Sequence, residues 1–275
     1  MPDKKRKKAT YLLVGMFVAL LYLAPFYLVV TNSFKIQKGI FFNIMGLPFG
    51  EFFTLKNYGE AFRELNFIHS FLNSLAITVS STIIIIIFAS MAAWMLVRTK
   101  TKYSAFLFFL FTAAMLVPFQ SVMLPLVRIM GKIGFLNPFG LVFMYLGFGS
   151  SLSIMLYHGF IKSIPVELEE AAIIDGCSRL QVFWYIVFPL LKPITVTVSI
   201  LNVMWIWNDF LLPQLVINKP EWHTIPLKMF FFFGQYSKQW HLALAGLVIA
   251  MIPIIIFYFI MQKHIIKGIT QGSIK

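Results

Sequence analysis

Charge is scarce in this chain. Of its 275 residues only 12% are Asp, Glu, Lys or Arg, and the acidic ones number ten. Globular domains carry about 25% charged residues, so a hydrophobic content of 59% exceeds what a soluble core can hide. Cysteine is scarcer still: Cys177 stands alone, which excludes an internal disulfide. The histidines at 69, 158, 223, 241 and 264 fall into no metal-ligand spacing, and no HExxH is present. Gly131-Lys132 lacks the flanking residues of a nucleotide-binding glycine loop, and no nucleophile elbow occurs. A membrane-embedded enzyme would need a His, Asp or Glu cluster in or beside its apolar segments, and none is there. Nothing in the sequence points to chemistry of the chain's own, to a metal or to a resident cofactor.

What the chain has is apolar length. Six intervals almost free of charge run through it: Ala9–Phe34, Leu65–Val97, Tyr103–Val127, Ile133–Ile161, Pro193–Asn208 continuing to Asn218, and Gln239–Gln262. Each reaches the roughly 20 residues that cross a hydrocarbon core, so the expectation is an all-α polytopic membrane protein with six spans. The net charge of +13 would suggest nucleic acid in a soluble protein. Here lysines and arginines flank the spans and orient them, and no nucleic-acid partner is expected. Five basic residues between Lys4 and Lys8 resemble the start of a signal peptide. The apolar run that follows is too long for one and carries no cleavage site, so it reads as a retained first span. With the N-terminus inside, inner segments hold 14 of the Lys and Arg residues and outer segments 9. That asymmetry places both termini in the cytoplasm. The organisation expected is a basic tail (1–10), a six-span domain (11–262) with an inner loop at 162–192, and a C-terminal tail (263–275). The outer segment 35–64 reads as a loop with a short helix over Leu55–Glu64, and the outer segment 218–238 as a partly ordered loop.

Polar residues are worth weighing one by one, because the background is so apolar. Glu167, Glu169, Glu170 and Asp175, four of the ten acids, sit together in the inner loop. Pro165 and the glutamates read as a helix start, and Gly176 as the bend that ends it. Such a segment is either a compact knob for a partner or a solvated loop with none. Asp209, beside Asn208, is the one acid inside an apolar interval. Charge there is costly, about 2.5–3.5 kcal/mol at mid-membrane, and marks a gate, an inter-subunit contact or an interfacial helix end. Trp205 and Trp207 suit either an interface belt or stacking on a sugar ring. Asn73, Ser74, Gln120 and Ser121 suit either interhelical hydrogen bonds or a pathway lining. The basic tail from Lys263 to Lys275 suits either anionic lipid or a protein partner.

At this point a family pattern emerges. Glu170-Ala171-Ala172, three residues, Gly176, nine residues, Ile186, one residue, then Phe188-Pro189 resembles the EAA motif of ABC importer permeases. Phe188 replaces the usual leucine, and Cys177 a small residue that is often alanine. Pro25-Phe26 to Ser33-Phe34-Lys35, Thr54 to Tyr58, and Phe71 to Leu75 resemble the carbohydrate-uptake branch. So do Pro118-Phe119-Gln120 to Pro125-Leu126, Trp207-Asn208-Asp209-Phe210 to Pro213, Thr224 to Leu227, Gly234-Gln235-Tyr236 to Trp240, and the tail Gln262-Lys263 to Lys275. The similarity covers nearly the whole chain and is to the maltose/oligosaccharide type. It implies a type I ABC importer permease bundle in a bacterial plasma membrane. It implies a homologous second permease, two ATPase subunits that bind ATP and Mg, an extracytoplasmic solute-binding protein, and a sugar substrate. Glu169, Glu170, Ala171, Ala172, Asp175, Gly176 and Pro189 would couple to the ATPase. Asn73, Gln120, Trp207, Asn208 and Asp209 are the candidates for the pathway or a gate. Pro226, Gln235, Tyr236 and Trp240 are those for binding-protein contact. A polyol or glycerol phosphate is an alternative cargo. A secondary carrier, the alternative of another class, would show paired intramembrane charges or broken-helix repeats, for which one Asp209 is poor support.

Overall fold

Apolar runs of this length leave the backbone one economical solution, since every amide must be paired within its own segment. In the computed structural model, backbone is described for residues 2–234 and 239–273, and side chains for 10–230 and 239–263. The helices are α1 (Pro2–Ser33), α2 (Gln37–Phe42), α3 (Lys56–Glu64), α4 (Phe67–Arg98), α5 (Lys102–Ala114), α6 (Phe119–Lys132), α7 (Pro138–Ile161) and α8 (Glu167–Ile174). A short turn, α9 (Arg179–Gln181), runs through a π-helical stretch (Val182–Val187) into α10 (Phe188–Leu190). Then come α11 (Lys192–Asn208), α12 (Leu211–Val216), α13 (Ile225–Gly234) and α14 (Trp240–Ser273). Among the described residues there is no β-strand, and the chain is all-α as expected.

Four helical segments are long and apolar enough to cross a membrane whole: Thr10–Ser33, Phe67–Arg98, Pro138–Ile161 and Trp240–Lys263. Two more candidates are broken. Helices α5 and α6 meet at 103°, and Arg179–Leu190 meets Lys192–Asn208 at 78°. Counting each bent pair as one span gives six.

Three boundaries therefore differ from the charge-free intervals. The third interval bends at Met115–Pro118, where Pro118 adopts extended backbone and starts α6. The fourth span begins at Pro138 rather than Ile133. Gly134, at φ +73°, ends the preceding helix, and the Asn137 side chain caps the next by accepting from the Gly140 N–H at 3.0 Å. The fifth stops at Asn208, because Asp209 is extended and the chain restarts as α12. A hydropathy interval cannot register such turns, which depend on single residues.

The chain forms two compact units. One comprises Met1–Phe67 with Lys228–Pro253. Its loop segment is knotted by polar groups. The buried Lys35 donates through Nζ to Asn32 Oδ1 (2.9 Å) and the Asn43 carbonyl (2.8 Å), and burial lowers its pKa below the ordinary lysine value. Asn57 Nδ2 donates to the carbonyls of Ser33 and Lys35 at 2.9 and 2.8 Å. Ala61, Ala245 and Ile249 make an apolar core against Tyr58 and Phe67.

The other unit comprises Ile68–Leu227 with Ile254–Lys275. Helix α7 is its centre, packed against α5, α11 and α12. The approach is close because α7 presents small residues. A Cβ on Gly149 would lie 2.5 Å from Ile85 Cδ1 and 2.8 Å from Asn202 Oδ1. Asn202 Nδ2 donates to Ser153 Oγ at 3.1 Å, and Tyr157 donates to Thr195 Oγ1 at 3.0 Å. Helices in lipid associate through such small and hydrogen-bonding residues.

Candidate functional site

Helix α8 takes shape as its residues dictate. Glu167, Glu169 and Glu170 occupy its first turn, where negative charge complements the helix dipole. Its end follows from Gly176, whose φ of +89° places it in the left-handed region. The Gly176 N–H donates to the Ile173 carbonyl at 3.0 Å and the Cys177 N–H to that of Ala172 at 3.0 Å, the paired bonds of a Schellman stop. Ser178 then caps the next turn in a reciprocal box with Gln181.

The faces of α8 differ sharply. Glu169 and Ala172, three apart, are buried, whereas Glu170, Ala171, Ile173, Ile174, Asp175 and Gly176 are exposed. Ile174, at 85%, is among the most exposed large apolar side chains described. On the buried side, Trp94 Nε1 donates to Glu169 Oε2 at 2.8 Å and Arg98 Nε to Oε1 at 2.8 Å. Arg98 Nη2 lies 2.7 Å from the same Oε1 and also donates to the Ile164 carbonyl at 3.0 Å. Both Trp94 and Arg98 belong to the last turns of α4. The carboxylate thus bolts α8 to the end of a span, with its charge paired and both oxygens hydrogen-bonded. Phe183 packs on Trp94, ring centroids 5.5 Å apart, and is fully buried in the π-helical stretch. Pro189 is exposed in α10. Neither Trp94 nor Arg98 stands out in the sequence as a site residue. The available signal is that Arg98 and Glu169 end up on one face by the charge count.

The pathway candidates scatter. Asn73 Nδ2 donates to the carbonyls of Glu221 (2.7 Å) and His223 (3.2 Å), holding the 219–224 loop to α4. Asn208 Nδ2 bonds back to the Met204 carbonyl at 2.7 Å. Asp209 terminates α11. It accepts from Tyr145 OH at 2.9 Å on Oδ2 and from the Leu211 N–H at 3.0 Å on Oδ1. Trp207 is buried edge-on to Phe71, centroids 5.8 Å apart. Gln120 is exposed in the first turn of α6. A cavity of about 810 Å³ lies instead between α5, α6, α7 and α11, its lining including Phe119, Phe148, Ser151, Asn202 and Trp205. Trp205, edge-on to Tyr145, is the tryptophan that reaches it.

Of the outer candidates, Pro226 is half-buried in the first turn of α13, and Trp240 is exposed at the start of α14. Gln235 and Tyr236 lie outside the described residues. Among the described residues, no group of His, Cys, Asp or Glu could hold a metal ion.

Comparison with known proteins bears on the family and the fold. A protein-family model described as "Binding-protein-dependent transport system inner membrane component" matches residues 85–271. A probable permease protein for starch degradation products from Thermoanaerobacterium thermosulfurigenes is 52% identical over 95% of both chains. A melibiose/raffinose/stachyose import permease protein from Bacillus subtilis is 36% identical over 96% of this chain and 95% of its own. In three dimensions, the chain matches a crystal structure of a bacterial ABC transporter involved in the import of the acidic polysaccharide alginate. The TM-score is 0.78 at 25% identity, covering 96% of this chain and 97% of that one.

Proposed function

The chain belongs to the family of binding-protein-dependent transport system inner membrane components, and from that premise we propose that it carries a sugar, an oligosaccharide by preference, across the membrane. It is a multi-pass plasma-membrane permease subunit of an ABC importer, and not itself an enzyme. The relatives' names support the sugar, since those given above are named for starch degradation products and for melibiose, raffinose and stachyose. The partners in this reading are a second homologous permease, two ATPase subunits holding ATP and Mg, and an extracytoplasmic binding protein. Both termini are cytoplasmic, residues 1–10 and 263–275 are tails, and 162–192 is the coupling loop.

One observation carries the coupling role: α8 is bolted to α4 through Glu169 on one side and bare on the other. A solvated loop without a partner has no reason to expose Ile173 and Ile174 while burying a carboxylate. Closure of the ATPase pair pushes on the bare face, around Glu170, Ala171, Asp175 and Gly176. The push passes through Glu169 into α4, and the bundle rocks between inward- and outward-open states. Only the ATPase supplies energy, because α8 can transmit no more than a differential contact. Sugar passes along the cavity that Trp205 and Asn202 line, and Asp209, Asn208, Asn73, Trp207 and Gln120, which lie outside that lining, are the proposed gate positions. Pro226, Gln235, Tyr236 and Trp240 meet the binding protein.

The test uses the assembled importer in proteoliposomes. Glu170→Lys and Gly176→Pro should insert and assemble normally yet hydrolyse ATP without sugar uptake. Proline fixes φ near −65°, against +89° at Gly176. Either variant transporting like wild type at normal assembly would refute the coupling assignment.

A further inference from the structure

The cavity between α5, α6, α7 and α11 has a chemical character of its own. Its volume of about 810 Å³ falls within the range of about 300–1,000 Å³ usual for small-molecule sites. On α7, Phe148 and Ser151 stand three residues apart in its wall, and on α11, Leu201, Asn202 and Trp205 share one face. None of the described residues that line it has a charged side chain. Asp209 lies outside the lining, and its oxygens are held by Tyr145 OH and the Leu211 N–H.

Three polar groups in this wall are unspent. Ser151 is only 7% exposed, and its hydroxyl makes no hydrogen bond among the described residues. Asn202, 5% exposed, uses Nδ2 on Ser153 Oγ and the Val198 carbonyl and leaves Oδ1 without a donor. The side-chain atoms shut away without a partner belong to Ser81, Thr82, Thr224 and His241. The oxygens of Ser151 and Asn202 are not among them, so in these two buried residues they open on the cavity. The Trp205 N–H likewise has no acceptor among the described residues, and Tyr145 backs its ring edge-on, centroids 5.4 Å apart. Phe119 and Phe148, also edge-on to one another, add aromatic surface.

This balance of groups selects the occupant. An acyl chain would leave all three polar groups unpaired, which is costly. A carboxylate or phosphate would give up water and meet no cation, and a cation would meet no free carboxylate. A neutral ring bearing hydroxyls leaves nothing unmatched. Its O–H groups donate to Asn202 Oδ1, accept from the Trp205 N–H and do either with Ser151, while its C–H face lies on the aromatic rings.

We propose that this cavity is a subsite for an uncharged sugar ring, held by Ser151, Asn202 and Trp205, and that it rejects uronates and sugar phosphates. The inference rests on the sugar reading above and narrows it by charge.

The experiment purifies the permeases and ATPases together without the binding protein, so that bound sugar reports on the membrane part. Equilibrium dialysis compares maltotriose with the same trisaccharide after oxidation of its terminal glucose to glucuronate. Wild type should bind the neutral form at least about tenfold more tightly. Ser151→Ala should weaken maltotriose binding about fivefold, the effect of one hydrogen bond between neutral groups. Trp205→Ala should weaken it roughly tenfold, and Trp205→Phe should recover part of the loss by restoring a ring. Leu201→Lys sets a cation on the same face and should raise uronate affinity severalfold, which mere loosening of the fold would not do. Maltotriose binding unchanged in Ser151→Ala or in Trp205→Ala overturns the site, as does a Leu201→Lys variant that gains no uronate affinity. So does a wild type that binds both trisaccharides equally, or neither. Uptake by the complete importer in proteoliposomes, run alongside, separates the two readings. Sugar uptake without a neutral preference in binding sinks this inference alone, whereas no uptake of any sugar tested sinks the sugar reading with it.

Discussion

Glu169 and Glu170 are neighbours with opposite surroundings, and substitution should separate them cleanly. Glu169→Ala leaves the Arg98 guanidinium and the Trp94 N–H without their acceptor. Removing one partner of a buried pair costs about 3–5 kcal/mol, so the solubilised importer should melt clearly earlier. Glu170→Ala removes an exposed side chain and should stay within about 0.5 kcal/mol of wild type while impairing coupled uptake. Equal melting of both variants in a thermal-shift assay would refute the bolt. At this scale the sequence was half readable. Gly176 announces its turn, because few other residues tolerate a positive φ. Glu169 does not announce its partners, because Trp94 and Arg98 lie 75 and 71 residues away and the pairing exists only once α4 and α8 are packed.

Among the elements, α7 shows how glycines in one helix carry different duties. A side chain at Gly149 would collide with Ile85 and Asn202, whereas a Cβ at Gly159 meets nothing within 4 Å. Gly149→Leu should therefore destabilise the α4–α7–α11 junction by at least about 1–3 kcal/mol, the usual cost of overpacking. Gly159→Ala should be neutral or stabilise by up to about 1 kcal/mol through helix propensity. Melting curves of the two variants check the contrast, and a neutral Gly149→Leu would mean that the helices do not meet there. The existence of these helices was legible from apolar run length. The 103° break between α5 and α6 was not, because a proline inside an apolar run can kink, break or simply be accommodated according to its neighbours. The cavity beside that break escaped notice for the same reason: its walls come from four helices, and no single stretch contains it.

For the molecule as a whole, Lys and Arg asymmetry is the one sequence signal of sidedness, and the chain carries its own probe for it. Cys177 is the sole cysteine, is half-buried, and lies just past the turn that ends α8. A membrane-impermeant maleimide should label it in inside-out vesicles and not in intact spheroplasts. The reverse pattern would invert the topology and remove α8 from reach of any cytoplasmic ATPase. The global reading was the most legible of all, since scarce charge and long apolar segments leave so few architectures open. How the segments bend, and which carboxylate is buried, are decided by contacts distant in sequence.

The bolt at Glu169 also has a mechanical consequence. Helix α4 has 32 residues, a rod of about 48 Å at 1.5 Å per residue, gripped at its foot by the Glu169 carboxylate, the Ile164 carbonyl and the Phe183 ring. Rotating that foot by about 5° swings the opposite tip through about 4 Å. Leverage of this kind lets a modest nudge at one membrane surface be felt at the other, without any part of the rod having to unwind.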